Sequence, residues 1–155
     1  MTNPFLLLTD DCLSLCQLSV SSQKRLFEIA ATEMASNCHS IQAGDLLQQL
    51  LAREKLGSTG LGQGVAIPHC RMGDCDRPIG CVVTLSEGID FNAPDDRLVD
   101  IIFFLVVPTD ASEAHLQLLA GLATLFSDTN RCAELRRTQS GEDLKQKILQ
   151  GLQHG

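Results

Sequence analysis

The run Val99–Val107, VDIIFFLVV, constrains the fold more than any other stretch of the chain. It is the most apolar segment, rich in β-branched and aromatic residues, and Pro108 closes it. Nine residues of this kind predict a central strand buried on both faces, because alternation with polar residues is missing.

Around that strand the chain alternates between short strand signals and helical periodicity. Leu13, Leu15 and Leu18 suggest a first short strand. A helix is predicted from Ser21 or Ser22, with a serine N-cap and Leu26, Phe27, Ile29, Ala30 and Met34 as its apolar stripe. A second runs from about Ala43 to Arg53, with Leu46, Leu47, Leu50 and Leu51 inward, Gly57 at its end, and Arg53 and Lys55 suited to its negative C-terminal dipole. Val65–Ile67 predicts a short strand stopped by Pro68. Gly73–Asp76 is an acidic connection, Ile79–Leu85 is a clear strand bounded by Pro78 and Glu87–Gly88, and Phe91–Asp96 is turn-rich. A loop over Thr109–Ser112 leads to a helix over Glu113–Ser127. A short helix follows over Asn130–Arg137, and Ser140 with Asp143 resembles a capping box before a last helix carrying Leu144, Ile148 and Leu152. Strands mixed with helices and no internal repeat or linker predict one α/β domain over residues 1–155, with a central sheet covered by helices.

Composition narrows what such a domain does. The 155 residues suffice for a substantial core, and 44% hydrophobic with 20% charged residues is ordinary for a soluble protein. A net charge of −7 argues against nucleic acid as the main partner, since like charges repel the phosphate backbone. The apolar run Phe5–Leu8 is too short for a signal peptide or a membrane span, so no membrane insertion is expected. The seven cysteines are scattered, which fits a reduced cytoplasmic protein using them mostly as small apolar side chains.

The chemistry concentrates in Arg53–Arg71, REKLGSTGLGQGVAIPHCR. Its four glycines, Gly57, Gly60, Gly62 and Gly64, predict a tight ligand-facing loop ahead of the short strand. His69 then falls at a strand end, facing the loop that carries Ser58 and Thr59. Such a histidine serves as nucleophile, acid or base, or metal ligand, or is an idle surface residue. Arg53, the hydroxyls of Ser58 and Thr59, and the loop N–H groups together make a pocket for a phosphoryl group, although no Walker spacing is present. His115 shares a helix face with Leu119, Leu122 and Phe126. It is either a satisfied core histidine or part of a site at the carboxyl end of the main strand. Cys70 and Cys75 invite a metal or thiol reading, but no paired zinc spacing accompanies them, so neither metal nor cofactor is expected.

These residues are similar to a known family. The run ending in AIPH resembles the active-site segment of the mannitol/fructose-type (type 2) enzyme IIA domains of the bacterial phosphoenolpyruvate phosphotransferase system. The resemblance is greatest to the nitrogen-related branch, whose members are stand-alone regulators. It extends over nearly the whole chain, through VDIIFFLVVP, HLQLLAGLATLF and LRRTQSGEDL. It implies a mixed sheet flanked by helices on both faces, hence a three-layer α/β domain. His69 would be the phosphorylated residue, receiving its group from the phosphohistidine of an HPr-like carrier protein. His115 and Arg53 would help hold that group, with Ser58 and Thr59 lining the pocket. Regulatory targets such as transporters, kinases or metabolic enzymes would read the phosphorylation state. Alternatives are a sugar-specific enzyme IIA passing phosphate to a IIB transporter domain, or a non-catalytic module binding an anion or partner. Cys70 departs from the glycine that many members carry after the histidine.

Overall fold

The computed structural model describes residues 12–38, 40–75, 77–109 and 112–154. In chain order the elements are β1 (Cys12–Leu18), α1 (Gln23–Ser36), α2 (Ala43–Leu56), β2 (Gly60–Gly62), β3 (Val65–Ala66), β4 (His69–Met72), β5 (Ile79–Ile89), β6 (Val99–Pro108), α3 (Ser112–Phe126), α4 (Thr129–Arg137) and α5 (Gly141–His154). The expectations that touch Phe5–Leu8, Asp76 and positions 110 and 111 lie outside the described residues.

The long apolar run forms the middle of a mixed sheet. β6 pairs antiparallel with β5 on one edge, and β1 continues that side parallel to β5. On its other edge β6 pairs in parallel first with β3 and then with β4, while β2 folds back antiparallel on β3.

The two-residue period of a strand explains why β6 lacks polar alternation. Ile102, Phe104 and Val106 point to one face, where they meet Leu26, Phe27, Ala30 and Met34 of α1 and Leu46 and Leu50 of α2. Ile101, Phe103, Leu105 and Val107 point to the other, against Leu118 and Leu122 of α3, Leu135 of α4 and Leu144 and Ile148 of α5. Two apolar layers thus sandwich one sheet, the three-layer arrangement expected. Phe27 anchors the first layer, with its ring 5.2 Å from that of Phe104 in an edge-on contact and 6.0 Å from that of Phe91. Truncating so completely buried a ring to alanine costs about 3–5 kcal/mol.

Local chemistry sets the helix limits. The Ser22 hydroxyl accepts the Arg25 N–H at the start of α1, and the Asp128 carboxylate accepts two N–H groups at the start of α4. At the end of α2 the Gly57 N–H bonds the Glu54 carbonyl, and the helix runs to Leu56, three residues past the predicted Arg53.

The glycine segment departs most from expectation. It is itself partly strand, because β2 and β3 form a tight hairpin turning at Gln63 and Gly64, with φ of 57° and 85°. Gly64 needs that left-handed backbone, and a Cβ there would collide with the Arg136 guanidinium and the Asp100 carboxylate. Beyond the hairpin, Pro68 interrupts the strand without ending it. Its missing N–H breaks the ladder, while its carbonyl accepts the Leu105 N–H at 2.9 Å and keeps the chain on β6. His69 therefore opens β4, whereas the sequence placed it at the end of the strand that Pro68 stops. β5 likewise continues past Glu87–Gly88, re-pairing Ile89 with Val99 after a register shift.

Candidate functional site

An open cleft of about 470 Å³ lies where α2, β4 and α3 converge. Gln49, Ala52, Arg53, Leu56, His69, Cys70, Arg71 and His115 line it. Three sequence candidates meet here, namely Arg53 from the last turn of α2, His69 from the first position of β4 and His115 from the first turns of α3. The two imidazole rings lie 5.4 Å apart and are inclined by 58°.

His69 is fixed by its own chain. Its Nδ1 is 2.7 Å from the Ile67 carbonyl oxygen, and since a carbonyl only accepts, Nδ1 carries the proton. The neutral ring then has its lone pair on Nε2. Burial holds the ring's pKa below the ordinary histidine value. The Ile67 bond opposes that shift, the Arg53 charge adds to it, and the Glu54 carboxylate opposes it. The imidazole is consequently neutral at pH 7.

His115 is fixed differently. Only 6% of its surface is exposed, and its buried Nδ1 has no hydrogen-bond partner among the described residues. Burial lowers its pKa to about 4, with the neighbouring His69 and Arg71 acting in the same direction. The predicted helix face is present: His115 continues the stripe of the fully buried Leu118 and Leu122, with Leu119 half-buried beside them.

Arg53 donates from Nη1 to the Gly57 carbonyl at 3.0 Å, which bends its guanidinium over the end of its own helix. Ser58 and Thr59 do not line the cleft. The Ser58 hydroxyl donates to the Phe91 carbonyl at 2.7 Å and accepts the Gly60 N–H. The buried Thr59 donates its hydroxyl and its N–H to the two carboxylate oxygens of Glu54, at 2.7 and 3.0 Å. Both hydroxyls are committed to shaping the loop. Cys70 does line the cleft, but burial pushes its thiol up to about 12, which leaves little thiolate at neutral pH. Among the described residues, no group of three or more His, Cys, Asp or Glu is arranged to hold a metal ion.

Sequence reasoning passed over Glu54. Its signal was an acidic side chain in the last turn of a helix, where the dipole disfavours it unless another contact compensates. Arg71 was passed over as well, because the strand was expected to stop at Pro68, whereas β4 carries His69 and Arg71 on the same side.

Fold and sequence agree on the class. Residues 6–151 match the family model described as phosphoenolpyruvate-dependent sugar phosphotransferase system, EIIA 2, and the chain belongs to that family. Within it, the similarity is to the nitrogen-regulatory branch. The chain is 40% identical over 136 residues to the nitrogen regulatory protein of Pseudomonas aeruginosa, covering 88% of each chain. The crystal structure of nitrogen regulatory protein IIA-Ntr from Neisseria meningitidis superposes with a TM-score of 0.83 at 38% identity, over 93% of this chain and 97% of that one. Mannitol IIA of Escherichia coli shares the fold, with a TM-score of 0.70 at 20% identity over 90% and 94% of the two chains.

Among the described residues no helix is long and apolar enough to cross a membrane.

Proposed function

We propose that the chain is a regulatory phosphocarrier of the nitrogen-related phosphotransferase system, with His69 as its phosphoryl acceptor. The carrying observation is the 2.7 Å bond from Nδ1 to the Ile67 carbonyl, which protonates one ring nitrogen and leaves Nε2 as a neutral nucleophile beside an open cleft.

The donor on this reading is the phosphohistidine of an HPr-like carrier in the cytoplasm. The His69 Nε2 lone pair attacks phosphorus and forms the new N–P bond, while the electron pair of the breaking N–P bond returns to the donor nitrogen. Nδ1 keeps its proton throughout, so no separate base is needed. Arg53 supplies positive charge for the equatorial oxygens of a loose transition state. The neutral His115 supplies a nearby dipole without repelling the incoming donor. Phosphorylation adds nearly two negative charges to a cleft lined in part by the exposed Leu56. A partner docking there then distinguishes the two states, which suits a regulator of transporters, kinases or metabolic enzymes.

The test is intact mass after incubation with phosphoenolpyruvate, its dedicated enzyme I and an HPr-like carrier. An acid-labile phosphoryl gain in wild type and none in His69→Ala is expected. No gain in wild type, with the carrier shown to be active, removes the reading in favour of a partner-binding module. Rapid loss of the label driven by mannitol or fructose with a matching transporter instead identifies a sugar carrier.

A further inference from the structure

Glu54 is one residue from Arg53 yet does not line the cleft; a continuous set of contacts nevertheless leads from its carboxylate to the His69 ring. The carboxylate grips Thr59 twice, at the N–H and at the hydroxyl. The Thr59 carbonyl accepts the Ile67 N–H at 3.1 Å. The Ile67 carbonyl accepts Nδ1–H of His69 at 2.7 Å. Glu54 thus stands two backbone segments away from the ring whose tautomer that last bond sets.

We infer that Glu54 and Thr59 form a latch that selects the Nδ1–H tautomer of His69 and thereby exposes Nε2. This rests on the phosphoacceptor reading for its consequence in transfer, but the tautomer itself is independent of that reading.

Three features make the latch more than ordinary loop packing. First, a neutral histidine side chain in water carries its proton mainly on Nε2, because the ring substituent makes the two nitrogens inequivalent, so something must hold the Ile67 carbonyl where Nδ1–H can reach it. Second, Ile67 precedes Pro68, and the peptide joining them has no N–H. Its carbonyl is the only polar group of that unit, and its position depends on how Ile67 is held. Third, Ile67 lies in the gap between β3 and β4, outside both strands, so its N–H bond to Thr59 is what ties it to the hairpin. Thr59 in turn follows the end of α2 closely, and the two Glu54 bonds fix it to that helix. The relay is mechanical, since the N–H and C=O of Thr59, like those of Ile67, belong to different peptide units. Its effect on the ring is positional. Glu54 also sits where the helix dipole disfavours a carboxylate, a local cost offset by the two short bonds.

The experiment is nitrogen-15 NMR of the histidine ring in wild type, Glu54→Ala, Glu54→Gln, Thr59→Val and Thr59→Ser, paired with transfer kinetics from the phosphorylated HPr-like carrier. The wild-type His69 ring should show Nδ1–H in large excess. Glu54→Ala and Thr59→Val should raise the Nε2–H fraction and slow transfer roughly tenfold at unchanged KM for the donor. Thr59→Ser keeps both donors and should restore both readouts. Glu54→Gln keeps an acceptor and should fall between, which preserves the test if the alanine variant fails to fold. A wild-type ring protonated on Nε2, or folded Glu54→Ala and Thr59→Val proteins with the wild-type tautomer ratio, overturns the latch. Normal tautomer shifts with no phosphoryl uptake in any protein, wild type included, would instead sink the phosphocarrier reading and leave the latch standing.

Discussion

The two banks of the cleft hold their histidines in opposite ways. On the β4 bank, His69 is tied to the Ile67 carbonyl, and the segment before it is tied in turn to Thr59 and Glu54. On the α3 bank, His115 is more deeply buried, yet its Nδ1 bonds to nothing among the described residues. The first bank commits several short hydrogen bonds to the orientation of one ring. The second relies on the apolar stripe of α3 and leaves a buried polar atom unsatisfied, which costs on the order of 1–3 kcal/mol. A nucleophile must be oriented before its substrate arrives, whereas a group that only stabilises added charge gains its partner with that charge. On the proposed reading of His69 as acceptor and His115 as charge stabiliser, the difference in construction matches a difference in task.

The sharpest way to break this comparison is at the proposed nucleophile. His69→Gln should abolish acid-labile labelling entirely, while urea unfolding changes by no more than about 1 kcal/mol, because a half-buried ring with one hydrogen bond adds little stability. Residual labelling in the variant would move the acceptor to His115 and reverse the two roles. Arg53→Lys comes next. A lysine keeps the charge but loses the fork that bonds the Gly57 carbonyl and still faces the cleft, so transfer should slow by roughly ten- to a hundredfold. An Arg53→Lys variant with the wild-type rate in single-turnover kinetics would show that charge alone suffices. His115→Asn should have a smaller effect, roughly three- to tenfold in rate, and should shorten the lifetime of the labelled protein.

Most of the architecture was legible because it follows from periodicity. The apolar run of β6, the Ser22 cap and the stripe of α3 each state their element in the residues themselves. So, in part, was the convergence of Arg53, His69 and His115: the residues themselves suggested a phosphoryl pocket with Arg53 and His69 and offered His115 as a candidate at the end of the main strand, and the family resemblance joined all three, although they come from three elements joined by long-range pairing. What stayed hidden depends on tertiary partners. Nothing in REKLGST reveals that Thr59 turns back to Glu54, or that Ser58 reaches the Phe91 carbonyl thirty-three positions on. A glycine-rich run also reads as open loop until β6 supplies an edge for β3 and β4 to pair with. Pro68 misled for the same reason: alone it ends a strand, but against β6 its carbonyl still finds Leu105.

The smallest effect concerns acid stability, and it isolates the second bank. His115 has an ordinary pKa near 6.5 in the unfolded chain and about 4 in the folded protein. Above pH 6.5 both forms are neutral and the residue contributes no pH dependence. Between pH 6.5 and 4 the unfolded chain takes up a proton that the folded protein refuses, so stability falls as the pH falls, and below about 4 the loss levels off. The full loss should be of order 2 kcal/mol, less than the shift alone would give, because water enters the open mouth of the cleft. His115→Asn should flatten the urea midpoint across this window. The His69→Gln variant should leave most of the slope, since burial is the larger cause of the His115 shift and the His69 charge only adds to it. A direct NMR titration of His115 midway near 6.5 would mean that its ring is solvated after all, and the contrast between the banks would then be one of degree. A midpoint near 4 that rises once His69 is phosphorylated would show the anion giving the second bank the partner it lacks.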